Sequence, residues 1–177
     1  MSVTPQLVNS IQSCIPRHCK SVSIALSGGV DSVVMLHACL ALRAHTQSCF
    51  TINAIHIHHG LSPNADNWLL FCQRLCDQFT LSFQCEVLFQ YAKINVQSEP
   101  RKSLEALARD ARYSAIDRLA PADSVVLLGQ HEDDQAETVL LQLKRGAGPK
   151  GLSGMAERFT KTSSVQYARP WINTGIG

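Results

Sequence analysis

Residues 22–37, Val-Ser-Ile-Ala-Leu-Ser-Gly-Gly-Val-Asp-Ser-Val-Val-Met-Leu-His, constrain the fold more than any other stretch of this chain. Val22 to Leu26 is a short apolar run that stops at Ser27-Gly28-Gly29, and apolar residues return at Val33, Val34, Leu36 and Leu40 with the spacing of one helical face. That order reads as strand, tight turn, helix. Two adjacent glycines permit positive φ and leave backbone N–H groups uncovered, and Asp31 and Ser32 fall at the helix start, where unpaired N–H groups and the dipole favour anions. Such a turn can hold phosphate, or can be a plain Gly-Gly turn capped by Asp31. The turn at 27–32 is neither of the two commonest phosphate loops, since it reads neither Gly-x-x-x-x-Gly-Lys-Ser/Thr nor Gly-x-Gly-x-x-Gly.

A length of 177 residues suits one domain with a real core. Apolar residues make up 45% and charged residues 17%, which excludes a disordered or fibrous chain, and no apolar stretch nears the ~20 residues of a membrane helix. No basic flank with an apolar core marks a signal peptide, so the expectation is a cytoplasmic protein without a membrane partner. Seven cysteines, at 14, 19, 39, 49, 72, 76 and 85, are odd in number and include no Cys-x-x-Cys. They read as reduced, mostly buried thiols, with Cys72 and Cys76 as core filler. The net charge of +2 permits RNA contact through a local patch and demands nothing.

In chain order, Leu7, Val8, Ile11 and Ile15 predict a leading helix with Pro5 in its first turn and Pro16 at its end. The first strand, the loop and a helix to about Ala44 follow, then a second strand over Phe50–Ile57. Asn64 is placed to cap a helix from about Ala65 to Phe79, and Leu81–Val87 alternates as a third strand would. Ser103 caps a helix over 104–119 with Leu104, Leu107, Ala108, Ala111, Ile116 and Leu119 inward. Val125–Leu128 is a fourth strand, and a last helix from about Asp133 to near Gly146 carries Ala136, Val139, Leu140 and Leu143 inward. Strands alternating with long helices imply a Rossmann-like three-layer α/β/α domain with a mainly parallel five-stranded sheet. Ligands of such a sheet bind outside the C-terminal ends of its strands, at a switch point.

Three further constellations fall at those ends. After the second strand, His56-Ile-His58-His59 puts His56 and His58 on one side, either as a metal or nucleotide-edge site or as a polar strand terminus hydrogen-bonded to backbone. After the fourth, Gly129–Thr138 packs four acidic groups into six residues, with Asp134 and Glu137 on one helical face. They either complement the helix dipole, orient Mg²⁺ on ATP phosphates, or hold a substrate ammonium. Lys144–Gly154 combines Lys144, Arg145 and Lys150 with four glycines, as a solvated connector or a basic loop gripping phosphate.

The string Ser27-Gly28-Gly29-Val30-Asp31-Ser32 resembles the pyrophosphate loop of the N-type ATP pyrophosphatases, an adenine nucleotide alpha hydrolase-like fold. Together with His56–Leu61, Glu105–Tyr113, Asp133-Asp-Gln-x-Glu137-Thr138 and Leu143–Met155, it resembles the tRNA(Ile)-lysidine synthetase family over residues 20–170. The resemblance implies a single catalytic domain, 1–177, acting on ATP with Mg²⁺, L-lysine and tRNA(Ile). ATP adenylates the C2 oxygen of the wobble cytidine, and the lysine ε-amine then displaces AMP. It assigns ATP binding to Ser27, Gly28, Gly29, Val30, Asp31, Ser32 and His56, metal binding to Asp31, and catalysis to Asp31, Asp134 and Glu137. Arg109, Arg112, Lys144 and Arg145 are assigned to RNA or phosphate. A tRNA thiolase and an ATP-binding module without turnover are the alternatives, the first disfavoured by the lack of paired cysteines. Gln130 stands where many relatives carry histidine. Trp171–Gly177 departs from the family's continuation after Arg169-Pro170, and the family's C-terminal tRNA-recognition domains are expected to be absent.

Overall fold

The computed structural model describes residues 4–46, 49–58, 60, 62–95, 103–144, 146, 148, 153–162 and 165–174. Its elements run α1 (Pro5–Cys14), β1 (Ser21–Ala25), α2 (Val30–Thr46), β2 (Thr51–His58), α3 (Ala65–Phe83) and β3 (Val87–Lys93). After them come α4 (Leu104–Leu119), β4 (Ser124–Leu127), α5 (Glu132–Lys144), β5 (Arg158–Thr162) and β6 (Val165–Ala168). The sheet order is β3-β2-β1-β4-β6-β5, with β5 antiparallel to β6 and every other pairing parallel.

Strand alternation divides the core in two. Val22, Ile24, Ile52, Ala54, Val125 and Leu127 pack with Ile11 of α1, Met35 and Leu36 of α2, and Cys72 and Cys76 of α3. Ile55, Val126, Leu128, Val165 and Tyr167 face the other way, onto Tyr113, Ile116 and Ala120 around α4. Helices therefore cover both faces, as a buried parallel sheet requires. The chain crosses from one face to the other between β3 and β4, which makes the β1/β4 boundary the switch point. None of the described helices is long and apolar enough to cross a membrane. The described cysteines form no disulfide with one another, and Cys14, Cys39, Cys72 and Cys76 are buried.

Several boundaries differ from the pattern reading. The sheet has six strands, not five, because Arg158–Ala168 folds back as an antiparallel pair at the edge beyond β4. Leu81–Val87 is not a strand: α3 continues to Phe83 and stops at Gln84, whose φ of 50° is left-handed. Phe79 and Phe83, four apart, both meet the His37 ring edge-on, so helical packing overrides the alternation of Leu81, Phe83 and Cys85. Asn64 precedes α3 without a side-chain cap; its own N–H donates to Ser62 Oγ at 3.2 Å. Ser103 caps α4 as expected, accepting from Ala106 N at 3.2 Å. Leu104 is exposed, and no residue of α5 is buried, so Ala136, Val139, Leu140 and Leu143 do not point into a core.

His37 Nδ1 is buried without a hydrogen-bond partner, and burial lowers the pKa of this imidazole from its ordinary 6.5. The unfolded chain then binds the proton more readily than the folded one. This contribution is fully present above pH 6.5 and is lost as pH falls through that value toward the lower folded pKa. Urea midpoints measured from about pH 7.5 down to about 5.5 should fall, and His37→Leu should flatten the slope. An unchanged slope would remove His37 as the cause.

Candidate active site at the strand tips

The phosphate-loop sequence breaks away from β1 as soon as its pairing ends. Leu26 N–H still donates to Ile55 O at 2.9 Å, and two residues later Gly28 takes φ of 91°. Gly29 O accepts the first helical bond of α2 from Val33 N at 3.1 Å. Within the loop, Gly29 N–H donates to Ser27 Oγ at 3.2 Å, Ser32 Oγ donates to Gly29 O at 2.8 Å, and the two hydroxyls lie 3.1 Å apart. The first N–H groups of α2 lack helical acceptors, so this braced turn presents donors and the positive dipole end to one spot. A cavity of about 500 Å³ lies over it.

Ser27, Gly29, Asp31, Ser32, His56, His58, Trp68, Arg109, Arg112, Gln130 and Asp134 all line that cavity. Its apolar wall is made by Ile55, Ile57, Ile116 and Leu128. Glu137 and Lys144, on later turns of α5, do not line it, nor do Gly28 and Val30; Val30 is 71% exposed. Arg145 lies outside the described residues.

His56 is buried, and its Nδ1 is 2.8 Å from Leu26 O. A carbonyl only accepts, so Nδ1 carries a proton. The hydrogen-bonded strand terminus is thus realised at His56, which still forms part of the cavity wall. His58 Nε2 is 3.1 Å from Asp66 Oδ1, and Lys93 Nζ is 3.0 Å from the same oxygen. The Lys93 ammonium, ahead of His58, holds the Asp66 carboxyl below the usual carboxylate range.

The acidic motif reaches the phosphate loop because Gly129 has no side chain. A Cβ there would lie 3.1 Å from Asp31 C and 3.2 Å from Ser32 N. His131 follows, with Nε2 3.8 Å from Asp31 Oδ2 and 3.7 Å from Asp134 Oδ2. Asp133 N–H donates to His131 Nδ1 at 3.3 Å, which puts the neutral ring's proton on Nε2, between the two carboxylates. His131 N–H donates to Asp134 Oδ2 at 2.9 Å and fixes that carboxylate. A divalent ion bound through one such carboxylate, phosphate oxygens and water fits this arrangement. A cage of protein ligands does not, for no group of three or more His, Cys, Asp or Glu among the described residues is placed to hold one.

Behind the cavity, Gln130 Oε1 accepts from Arg169 Nε and its amide donates to Met155 Sδ at 3.3 Å. Arg169 is 3% exposed, donates to Ala156 O at 2.6 Å and lies 4.3 Å from the Phe159 ring centroid. Burial lowers its pKa from the ordinary value. Gln135 clasps Met155 through both its N–H, at 2.6 Å, and its O, at 3.0 Å. Trp171 is fully buried, and its Nε1 donates to Leu7 O at 3.2 Å. Pattern reading gave no expectation for Trp68, His131 or Arg169. His131 lies inside the acidic motif, but spacing alone does not separate it from its neighbours.

Gly28 and Gly146 both take positive φ, 91° and 70°, yet differ in their surroundings. A Cβ at Gly28 would meet Trp68 Cε3 at 2.9 Å and Cys72 Sγ at 3.2 Å, while nothing lies within 4 Å of one at Gly146. Gly146→Ala should cost about 1 kcal/mol from the backbone alone. Gly28→Ala should cost more and also weaken nucleotide binding. Urea unfolding and ligand titration of the pair check this, and equal costs would contradict the crowding.

The family model described as PP-loop domain (ATP_bind_3) matches residues 3–175. The chain is 47% identical over 137 residues to the tRNA(Ile)-lysidine synthase of Vibrio cholerae serotype O1, covering 77% of this chain and 29% of that protein. Against the enzyme of the same name from Pseudomonas fluorescens it is 48% identical, over 75% and 28%. For that of Yersinia pestis the figures are 43%, 86% and 32%. The chain thus spans about a third of the length of these curated relatives. Among solved structures, the U34-tRNA thiolase NcsA from Methanococcus maripaludis with its [4Fe-4S] cluster superposes with TM-score 0.62 at 16% identity, over 97% of this chain and 60% of that one, a likeness of fold. With the braced loop at the tip of β1 and a family match running almost from end to end, the chain belongs to the PP-loop domain family, which indicates that it binds ATP.

Proposed function

We propose that this chain carries the chemistry of ATP-dependent ligation of lysine to the wobble cytidine of tRNA(Ile). The observation that supports it most is the meeting, in one cavity, of the α2 N-terminus with Asp134 across the His131 ring. The names of the relatives at 43–48% identity point the same way.

In this reading ATP lies with its phosphates over Ser27–Ser32 and its adenine toward Ile57, Ile116 and Leu128. The C2 oxygen of cytidine attacks the α-phosphorus, the bond to the bridging oxygen breaks, and pyrophosphate leaves. Backbone N–H groups of the loop and the Ser27 and Ser32 hydroxyls stabilise the leaving charge. Among the described residues no lysine lines the cavity, in keeping with cleavage at the α–β bond. Mg²⁺, held through Asp31, would neutralise phosphate charge when bound. In the second step the lysine ε-amine attacks C2, and AMP departs with the C2 oxygen. Asp134 at the cavity and Glu137 one turn further along α5 hold the ammonium and take up its proton as the C–N bond forms. Arg109 and Arg112, both exposed on the α4 wall, meet phosphates of the RNA or nucleotide. Lys144, outside the cavity lining on α5, supplies a further cation for the RNA.

Thiolation is the second reading, carried by the fold likeness to the thiolase. Against it, none of the described cavity-lining residues is a cysteine. Cys72 lies beneath Gly28, and burial pushes its thiol up to about 11, a poor nucleophile.

Incubation with α-labelled ATP, lysine and an isoleucine tRNA should yield AMP and pyrophosphate, with lysine joined to the RNA. Asp134→Asn should lower the rate about a hundredfold. Nucleotide binding with no turnover in excess tRNA would reduce the chain to a binding module, and no nucleotide binding at all would overturn the proposal.

A further inference from the structure

Trp68 lines the cavity at the phosphate-loop end and is 47% exposed. The other large aromatic side chain of the lining, Tyr113, is 7% exposed and packed edge-on against Phe159 and Tyr167, at 5.8 and 5.1 Å between centroids. Trp68 is held firmly for so exposed a ring. Its six-membered edge rests on Gly28, whose Cβ, were there one, would fall 2.9 Å from Cε3, and Phe71 meets it at 5.8 Å and 88°. Phe71 is itself 44% exposed. Burial does not explain an indole in this position, because apolar packing would be satisfied by turning it inward.

Across the cavity lie the guanidinium-bearing side chains Arg109 and Arg112. A fixed aromatic surface on one wall and exposed cations on the other is the combination that binds single-stranded nucleic acid, stacking for a base and charge for its backbone. Carboxylates are present too, but Asp66 beside Trp68 is paired with Lys93 and His58, and Asp31 and Asp134 gather at His131. The apolar wall of Ile57, Ile116 and Leu128, which seats the adenine in the reading proposed above, belongs to β2, α4 and the residue after β4, whereas Trp68 is carried by α3.

We infer that Trp68 is a stacking surface for an unpaired RNA base entering the cavity, separate from the seat of the ATP adenine. The inference rests on the proposal that RNA is the substrate, and names where on this chain the base is received.

The second tryptophan, Trp171, is fully buried and bonded to Leu7 O, so ligand-dependent quenching reports on Trp68 and the Trp171 emission reports on folding. The full chain, first saturated with a non-hydrolysable ATP analogue, is titrated with a short single-stranded oligoribonucleotide. Emission should fall further as RNA binds. Trp68→Leu should abolish this quench and weaken RNA about tenfold more than it weakens the analogue, and Trp68→Phe should recover most of the RNA affinity. Quenching by the analogue alone, with none added by RNA, assigns the ring to adenine and overturns the inference. Equal losses for RNA and analogue in Trp68→Leu make Trp68 a prop for Gly28 and also overturn it. Should the analogue fail to bind while RNA still quenches through Trp68, the catalytic proposal falls and the stacking surface stands.

Discussion

The closeness of Gly129 to the first turn of α2 is the constraint on which the site depends. A Cβ on Gly129 would fall 3.1 and 3.2 Å from the backbone of Asp31 and Ser32, so any side chain there would push the two segments apart. Parallel pairing of β1 with β4 sets this distance, since Val22↔Val125 through Ile24↔Leu127 bring both strands to their C-terminal ends at the same level. Each strand then releases a polar segment into the same space. The phosphate loop supplies donors, the acidic segment supplies carboxylates, and His131 keeps Asp31 and Asp134 from confronting each other directly. Opposite charges that would otherwise sit on separate motifs become one polarised cavity.

Support for this arrangement comes from behind the sheet tips. Arg169 brings a buried positive charge among Gln130, Ala156 and the Phe159 ring, with its donors directed at neutral oxygens. Desolvating a guanidinium is costly, and a network satisfied by carbonyl groups limits that cost while fixing each partner's direction. Gln130 is thereby committed to structure. Its amide holds Met155 and its carbonyl holds Arg169, so it stands as a spacer at the cavity wall.

Much of this was legible in the residues. The strand-turn-helix of Val22–Leu40 was readable because two glycines interrupt an otherwise clear change from strand to helix periodicity. The sheet class followed from strands alternating with helices, and the cavity lies at the strand tips, where that class expects a ligand. The edge pair Arg158–Thr162 and Val165–Ala168 was not legible: its apolar positions are few, and its partner β4 lies about forty residues upstream. The segment 80–87 misled because Leu81, Phe83, Cys85 and Val87 alternate, whereas the helix is decided by the four-residue spacing of Phe79 and Phe83 against His37. Trp68 and Arg169 were invisible for a different reason. Their significance comes from what a distant part of the chain places beside them, Gly28 in one case and Gln130 in the other.

Because α5 buries none of its residues, its tethers among the described residues gather at its first turn: the Gln135 clasp on Met155, the His131–Asp134 bond and the bridge from His131 to Trp171. Elements with little buried apolar surface open at a small fraction of the global unfolding free energy. α2 and the sheet therefore set the phosphate end, and α5 beyond its first turn is the helix with least buried surface to hold it. Asp134 stands at the seam between them and Glu137 beyond it. Hydrogen exchange along α5 would record that seam as a gradient, slow at its N-terminal turn and quick beyond it. The distance between phosphate end and carboxylates is then an adjustable quantity, one that a bound substrate can set.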